Sequence, residues 1–348
     1  MRCLLTVDPE IPVPPRLYGG IERVVAGLAE GLRERGHTVG LAAHPESTAA
    51  VDARFPWPGG RSGSLADAAR NARTLLRAVR QFRPDVLHSF SRLLYLVPVL
   101  RSRLPKVMSY QREPTARTVR WANRLAGGTL RFTGCSEYIC RLGRRAGGDW
   151  AAVPNFVDVG RYDFVPAVPA DAPLVFLSRV EEIKGAHLAI AAARAAGRRL
   201  LIAGNHSADE RGATYWRERV EPELGKGGVE YVGPVDDAQK NELLGRAAAL
   251  LVPVQWDEPF GIVFAEALAC GTPVISCPRG ALPEIVSTGV NGYLARSPDE
   301  LAEAVRRVGT IARRSCREVA ERRFSRQAVT EEYERCYRST PCPSTGAT

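Results

Sequence analysis

The chain alternates short apolar runs with amphipathic segments whose apolar positions recur every three or four residues. The short runs are typical of strands buried on both faces of a parallel sheet, and the amphipathic segments predict the helices that cover it. In the first half the predicted strands are Cys3–Val7, Thr38–Ala43, Asp85–His88, Lys106–Tyr110, Leu130–Gly134 and Ala151–Pro154. The predicted helices there are Ile21–Arg35, Leu65–Phe82 and Ser136–Arg145.

The same alternation starts again after a proline-rich passage, Val165–Pro173, which is typical of a linker. The predicted strands of this half are Leu174–Ser178, Arg199–Ala203, Val229–Val232, Leu250–Pro253 and Val274–Ser276. Repeated β-α alternation predicts an α/β protein with parallel sheets. We expect two Rossmann-like lobes, residues 1–165 and 172–324, that face a central cleft and bind ligands at the carboxyl ends of their strands.

The most informative segment is Glu258–Ile275, in which two carboxylates bracket the start of a predicted helix. Glu266 is the only charged residue from Ile262 to Ala269, and a helix that is apolar all round is normally buried. A buried carboxylate is costly without hydrogen-bond donors, and the two hydroxyls of a ribose would supply them. Glu258 lies before the helix, and Glu266 lies about five residues inside it, roughly 7 Å deeper at ~1.5 Å per residue. The pair can therefore hold two separate parts of one elongated ligand.

The backbone between these carboxylates predicts an anion site. The amides of Phe260, Gly261 and Ile262 would lie at the helix N-terminus, where they favour a phosphate. The segment therefore indicates a cradle for a nucleotide-diphospho-sugar. Two alternatives stay open: Glu266 pairs with a buried arginine, or the segment is an ordinary buried crossover helix.

Two cations follow the first predicted strand of the second half. Arg179 and Lys184 in Ser178–Gly185 suit phosphate oxygens, the first as a fork and the second as a point charge. Fixed there, they would stabilise the charge of a departing nucleoside diphosphate. The chain has no D-x-D pair for a divalent ion, so no metal is expected. Taken alone, such cations are equally typical of a solvated surface.

Polar and flexible residues follow the strands of the first half as well. Gly19 and Gly20 open a helix and allow close approach to a phosphate, although a tight turn is the alternative. His88 ends a strand and would point into the cleft, with a structural histidine as the equal alternative. Gln111 and Arg112 follow the next strand and lie where an acceptor hydroxyl could bind.

Composition and charge set wider bounds. The chain has 348 residues, 45% hydrophobic and 25% charged, and no apolar run approaches the ~20 residues of a membrane span. The apolar run at the start is too short for a secretory signal, so a cytoplasmic protein is expected.

The formal charge of +10 favours an anionic partner, but the bias toward arginine is also typical of codon usage. A basic face on the Leu65–Phe82 helix fits either peripheral contact with the inner membrane or a solvated surface. Its residues are Arg70, Arg73, Arg77 and Arg80.

Taken together, these residues resemble the GT-B glycosyltransferases of family 4, a large retaining family. The resemblance covers nearly the whole chain, and its most specific part is Glu258 and Glu266 in the E-P-F-G setting. The Gly19–Gly20 turn, the Arg179 and Lys184 pair, and the segment Val153–Asp158 support it.

The resemblance implies a role for each motif. Glu258 would bind hydroxyls of the transferred sugar and Glu266 the ribose, while the stretch Val232–Val235 would contact the base. Gly20 would offer its backbone to the distal phosphate, and a helix near 325–340 would return to the first lobe. The residues assigned to donor binding are Gly19, Gly20, Ser178, Arg179, Lys184, Gly233, Val235, Glu258, Phe260, Gly261, Ile262 and Glu266.

The resemblance also places the acceptor in the first lobe. One departure is that Gln111 stands where many members have a histidine, and glutamine cannot become cationic. His88 matches a common family histidine. The residues assigned to the acceptor are Tyr18, His88, Gln111 and Arg112, and those assigned to catalysis are Arg179, Lys184, Glu258 and His88.

The implied enzyme is a retaining glycosyltransferase that needs neither metal nor cofactor. It would move a hexose-type sugar from a nucleotide-diphospho-sugar, UDP ahead of GDP, to a hydroxyl of a secondary-metabolite scaffold or a lipid-linked glycan. Nucleic acid is not an expected partner. The alternatives are a sugar-nucleotide epimerase on the same fold and a non-catalytic basic protein that binds membranes or nucleic acid.

Overall fold

The computed structural model describes residues 1–16, 19–207 and 209–340. The chain divides into two compact units, each built on a parallel sheet. One unit runs from Met1 to Asn155 and takes in the described residues from Arg326 onward, and the other is Phe156–Ser325. The predicted α/β architecture with parallel sheets is confirmed.

The described residues of the first unit form seven strands and five α-helices. The strands are β1 (Arg2–Thr6), β2 (Thr38–Ala43), β3 (Ala53–Pro56), β4 (Val86–Ser89), β5 (Lys106–Tyr110), β6 (Leu130–Gly134) and β7 (Asp149–Ala152). The helices are α1 (Gly20–Glu34), α2 (Leu65–Phe82), α3 (Ala116–Ala126), α4 (Glu137–Arg144) and, at the end of the chain, α12 (Arg326–Ser339). The sheet order is β3-β2-β1-β4-β5-β6-β7.

The second unit repeats this plan, with six strands among its described residues. The strands are β8 (Leu174–Leu177), β9 (Leu200–Ala203), β10 (Val229–Gly233), β11 (Ala249–Leu251), β12 (Val274–Ser276) and β13 (Gly292–Leu294). The α-helices are α5 (Ala186–Ala195), α6 (Glu210–Tyr215), α7 (Asp237–Arg246), α8 (Ile262–Ala269), α9 (Leu282–Ile285), α10 (Pro298–Arg307) and α11 (Arg313–Arg323). The sheet order is β10-β9-β8-β11-β12-β13.

Two edge strands, β3 and β13, are absent from the predicted set. β3 is only partly buried and ends at Pro56, and β13 has three residues, so neither forms the apolar run that marks a central strand. The proline-rich passage also behaves differently from a free linker. Its first residue, Val165, accepts a hydrogen bond from the buried guanidinium of Arg313 at 2.6 Å. The passage is therefore anchored within the second unit.

The helix α12 is anchored in the first unit by a buried carboxylate. Glu334 accepts from Arg35 Nη2 at 2.9 Å and lies 2.5 Å from Nε2 of His37, the residue that precedes β2. The Arg35 hydrogen bond, together with the one from His37, lowers the pKa of Glu334 to about 2. Folding thus favours the ionised form of this side chain.

Glu334→Gln should make the protein less stable at neutral pH and less sensitive to acid. Because the folded pKa of Glu334 lies below its ordinary value of 4.5, its stabilisation is complete above pH 4.5 and is lost as the pH falls toward 2. We expect a cost of about 1.5–3 kcal/mol at pH 7, typical of a hydrogen bond to a charged group. Thermal unfolding followed by circular dichroism from pH 7 to pH 2 measures both effects.

Glu331→Gln is the matched control, since Glu331 contacts the same arginine from a more exposed position, at 3.1 Å. Equal acid sensitivity in the Glu334→Gln variant and the wild type would contradict this account of α12.

Candidate active site

The helix α8 carries the acidic residue on which the sequence prediction depends. It begins after Gly261, whose φ of 80° is left-handed and where an added Cβ would lie 2.5 Å from the Phe264 ring. Phe264, Ala265 and Leu268 are completely or almost completely buried. The prediction of a buried helix at this position is confirmed.

Glu266 is held by a lysine and a tyrosine. Its Oε1 accepts from Tyr162 Oη at 2.7 Å and from Lys240 Nζ at 2.6 Å, and its side chain is 12% exposed. The other oxygen, Oε2, has no hydrogen-bond partner among the residues that the structure describes. The internal cation considered as an alternative is therefore present, but it is a lysine rather than an arginine and engages one oxygen.

The ammonium of Lys240 stays charged in this setting. Burial opposes its charged form, but attraction to Glu266 and Asp237 outweighs burial and raises the pKa of Lys240. Burial and the neighbouring Glu266 also raise the pKa of Tyr162, so its hydroxyl remains a donor. The cluster therefore consists of a carboxylate, an ammonium and a neutral phenol.

Glu258 is held in the same manner. Its Oε2 lies 2.5 Å from Lys184 Nζ and 3.0 Å from Trp256 Nε1, whereas Oε1 has no hydrogen-bond partner in the described part of the chain. Gly185 lets the Lys184 turn come close to the loop after β11, because an added Cβ there would lie 2.2 Å from the Pro253 carbonyl oxygen. Lys184 and Glu258, assigned to one site from sequence, are in direct contact.

Arg179 lies in a rigid turn beside this pair but does not join it. Its side chain is 58% exposed and contacts Glu181 at 2.8 Å. The turn follows β8, and the next residue, Val180, donates to the Asn205 carbonyl at 2.8 Å. The carbonyl of Ser178 comes so close to Gly204 that an added Cβ there would lie 2.0 Å away. The guanidinium is therefore an accessible cation on a fixed backbone.

Three backbone amides precede and open α8. The amides of Phe260, Gly261 and Ile262 make no hydrogen bond to any residue that the structure describes. Unpaired amides at a helix N-terminus favour an anion. They lie in sequence between the two carboxylates, as the prediction required.

Gly233 and Val235 lie at the end of β10, an edge strand of the second sheet. Gly233 has a left-handed φ of 81° and open space where a side chain would be, and its carbonyl accepts from Gly204 at 2.9 Å. Val232 is 44% exposed. These residues occupy the carboxyl end of the sheet, where a base could be bound, but no hydrogen bond within the described part of the chain joins them to Glu266.

His88 is a structural residue, and its predicted contact with a substrate is wrong. It is fully buried, with Nε2 2.6 Å from Ser109 Oγ and Nδ1 2.7 Å from Tyr337 Oη. Burial lowers the pKa of His88 to about 3, so the ring is neutral. The aromatic side chain of Tyr333 also packs against it. α12 therefore covers the position that the sequence assigned to the cleft.

The glycine pair forms a close turn around a carboxylate. A Cβ on Gly19 would lie 2.7 Å from Pro15 Cβ and 2.8 Å from Glu22 Oε2. Burial raises the pKa of Glu22, which is not predicted as a site residue. Gly20 starts α1. Packing within the turn is thus sufficient reason for glycine at position 19. Tyr18, which was assigned to the acceptor, lies outside the described residues.

Gln111 and Arg112 follow β5, as predicted. Gln111 buries an amide nitrogen, Nε2, for which no hydrogen-bond partner exists among the described residues. Arg112 is exposed. An amide donor and a cation are therefore available at the carboxyl end of the first sheet.

Lys240, Tyr162 and Trp256 are the site residues that sequence reasoning did not identify. One observation could have found the first of them, because the chain has only four lysines among 48 lysines and arginines. Lys106, Lys184 and Lys240 are buried or nearly so, and Lys226 is the exposed one. Three of the four lysines are thus largely buried, in a chain whose other side-chain cations of this kind are arginines. A largely buried lysine in such a chain indicates a position that needs a compact ammonium group rather than a guanidinium fork.

Family models match both halves of the chain. Residues 165–323 match the model for glycosyl transferases group 1, and residues 18–161 match glycosyltransferase family 4. A D-inositol 3-phosphate glycosyltransferase of Mycolicibacterium smegmatis is 34% identical over 42% of this chain and 34% of its own length. The chain thus spans well under half of the curated relatives that it matches.

Solved structures resemble the chain over almost its whole length. AviGT4, a glycosyltransferase involved in avilamycin A biosynthesis, is 27% identical with a TM-score of 0.70 and 97% coverage of both chains. Anabaena HepE in complex with UDP and glucose has a TM-score of 0.72 at 20% identity, over 97% of this chain and all of its own. The second likeness concerns the fold alone. With both halves matched and the GT-B fold shared, the chain belongs to the group 1, family 4 type of glycosyltransferases.

Proposed function

We propose that the chain is a retaining glycosyltransferase that transfers a hexose-type sugar from a nucleotide-diphospho-sugar without a metal ion. One observation carries the proposal. Glu258 and Glu266 each keep one carboxylate oxygen open, and the unpaired amides that open α8 lie between them. The order carboxylate, anion site, carboxylate matches the order sugar, diphosphate, ribose in the donor.

Each part of the donor would meet a complementary group. The open oxygen of Glu266 would accept from the ribose hydroxyls, and that of Glu258 from the hydroxyls of the transferred sugar. The amides at α8, with Lys184 and the exposed Arg179, would bind the diphosphate. Gly233 and Val235 would line the base at the end of β10.

The proposed reaction uses no side-chain nucleophile. The bond between the anomeric carbon and the diphosphate breaks while the acceptor oxygen forms its bond on the same face of the sugar. The acceptor proton passes to an oxygen of the departing phosphate, and the charge left on the diphosphate is stabilised by Arg179 and Lys184.

UDP is the preferred nucleotide in this proposal, ahead of GDP. The Anabaena protein of the same fold binds UDP and glucose, which is in keeping with that choice. A small secondary-metabolite scaffold is the preferred acceptor, in keeping with the likeness to AviGT4, a glycosyltransferase involved in avilamycin A biosynthesis. Gln111 and Arg112 would bind the acceptor.

A lipid-linked acceptor with peripheral membrane contact is the second choice. On α2, Arg73, Arg77 and Arg80 are exposed, while Arg70 is paired with Asp67. In the described ranges, no helix has both the length and the apolar character needed to cross a bilayer.

Arg179→Ala and Glu266→Gln should abolish most transfer without unfolding the protein. Arg179 is exposed, and glutamine keeps the size of Glu266, so we expect a melting temperature close to wild type. For Arg179→Ala, loss of one contact that stabilises the charge of the departing diphosphate costs about 10²–10³ in kcat. For Glu266→Gln, the loss falls on binding of the donor ribose and appears as a higher KM for the donor. Steady-state kinetics with the native donor measures the loss, and near-wild-type transfer by either variant contradicts the donor assignment. Arg211→Ala is the matched control, since Arg211 is also an exposed arginine, 84% against 58% for Arg179, and is paired with Glu182 as Arg179 is with Glu181.

A nucleotide should raise the thermal stability of the protein, UDP more than GDP. Binding at a hundredfold excess over Kd adds about 2.7 kcal/mol to the unfolding free energy. Thermal shift against a panel of nucleotides and UDP-sugars measures this. Conversion of a UDP-sugar without acceptor would favour the epimerase. Salt-sensitive binding to DNA or anionic vesicles, with no shift by any nucleotide, would favour the non-catalytic alternative.

A further inference from the structure

The two carboxylates of the donor site are held by two clusters of the same composition. The Glu258 cluster consists of Glu258, Lys184 and Trp256, and the Glu266 cluster consists of Glu266, Lys240 and Tyr162. In each cluster, one carboxylate oxygen accepts from both the lysine and the aromatic side chain. The lysine ammonium also lies over the ring of that aromatic residue, 4.9 Å from the Trp256 centroid and 5.8 Å from the Tyr162 centroid.

Holding a carboxylate by one oxygen has a geometric consequence. Two donors on Oε1 of Glu266 fix the rotation of the carboxyl group and use the lone pairs of that oxygen. Oε2 then keeps its lone pairs and a fixed direction. A preorganised acceptor of this kind gains affinity because little side-chain entropy is lost on binding.

The same arrangement has an electrostatic consequence. A free carboxylate close to a diphosphate would repel it, and burial would add a desolvation penalty. Each lysine cancels the charge of its carboxylate while leaving one oxygen available for a hydroxyl. The nearly neutral cluster can then lie beside a phosphate and still accept hydrogen bonds.

Tyr162 is itself firmly placed relative to α8. Its carbonyl accepts from Arg317 Nη1 at 2.8 Å, and the same nitrogen donates to the Ala269 carbonyl at the end of α8, 2.7 Å away. The phenol and the helix that carries Glu266 are thus tied to one guanidinium. A tyrosine whose backbone is anchored in this way can orient the carboxylate through its hydroxyl.

We propose that Tyr162 and Lys240 are positioning residues that make Glu266 selective for a ribose, and that Trp256 positions Glu258 for the transferred sugar. None of the three needs to touch the donor. The inference rests on the proposed function, since it assigns the open oxygens to the hydroxyls of a nucleotide-sugar. It predicts that the two clusters can be disabled separately.

Tyr162→Phe tests the Glu266 cluster, because it removes one hydroxyl and keeps the ring. The probes are UDP and 2′-deoxy-UDP, or the guanosine pair if the nucleotide panel selects GDP, with Kd measured by calorimetry. We expect the wild type to prefer the ribonucleotide, and the variant to lose about tenfold of that preference, the equivalent of one hydrogen bond to a charged group. Affinity for the deoxynucleotide should hardly change, because the diphosphate contacts remain.

Trp256→Phe tests the Glu258 cluster in the same protein. It removes the indole N–H and keeps an aromatic ring beneath Lys184. We expect kcat to fall at least tenfold and selectivity among UDP-hexoses to weaken, while Kd for UDP stays within about twofold of wild type. Tyr162→Phe should thus lose nucleotide selectivity, and Trp256→Phe should lose sugar transfer. A general loss of structure would reduce both properties in both variants.

The matched control is Tyr215→Phe, since Tyr215 is a buried tyrosine of the same unit whose hydroxyl contacts His187 at 2.9 Å. It should leave both readouts unchanged. Unaltered ribose preference in Tyr162→Phe, or an equal loss of affinity for both nucleotides, overturns the inference. A wild-type protein that binds no nucleotide and transfers no sugar instead overturns the proposed function.

Discussion

The second unit must hold two carboxylates in a largely apolar setting and still leave them able to bind a ligand. Arginine would satisfy the charge but tends to engage both carboxylate oxygens through its fork. Lysine is a point charge, and at Glu258 and Glu266 it occupies one oxygen only. Lysine therefore suits these two positions, even in a chain otherwise dominated by arginine. Because each lysine occupies one oxygen only, the second oxygen of each carboxylate stays open for the donor.

The sheet delivers these groups to one edge because the carboxyl ends of parallel strands lie together. Lys184 and Arg179 follow β8, Glu258 follows β11, and Gly233 ends β10. Two glycines allow loops from neighbouring strands to pack against each other: Gly185 lies against the Pro253 carbonyl and Gly204 against that of Ser178. The positions of the cations therefore depend on backbone contacts, in addition to the side chains that bind.

Sequence patterning predicted the central strands, the buried helix α8 and the placement of Lys184 and Glu258 at one site, because these depend on local periodicity and on strand ends meeting at one edge. It did not predict that the two side chains contact each other. It could not predict that Lys240 reaches Glu266, since that contact joins α7 to α8 through tertiary packing. It also misplaced His88. The strand was predicted to within one residue at each end, but Tyr333 and Tyr337, which cover the ring, come from α12. Side-chain direction at a strand end depends on what packs above it, and periodicity contains no information about that.

The buried arginines of the second unit show the complementary use of a guanidinium. Arg313 donates to the carbonyls of Val165, Gly245 and Ala247 at 2.6–2.8 Å. No carboxylate among the described residues accepts a hydrogen bond from it. Several fixed donors suit a set of carbonyl oxygens at a helix end, where three rotating ammonium protons would be less well directed. Arg317 binds the Ala269 carbonyl in the same way and reaches Tyr162. Guanidinium groups thus fix the C-terminal end of α8, and ammonium groups hold the two carboxylates. The geometry of the donor site therefore depends on both kinds of cation, arginine for sets of carbonyl oxygens and lysine for single carboxylate oxygens.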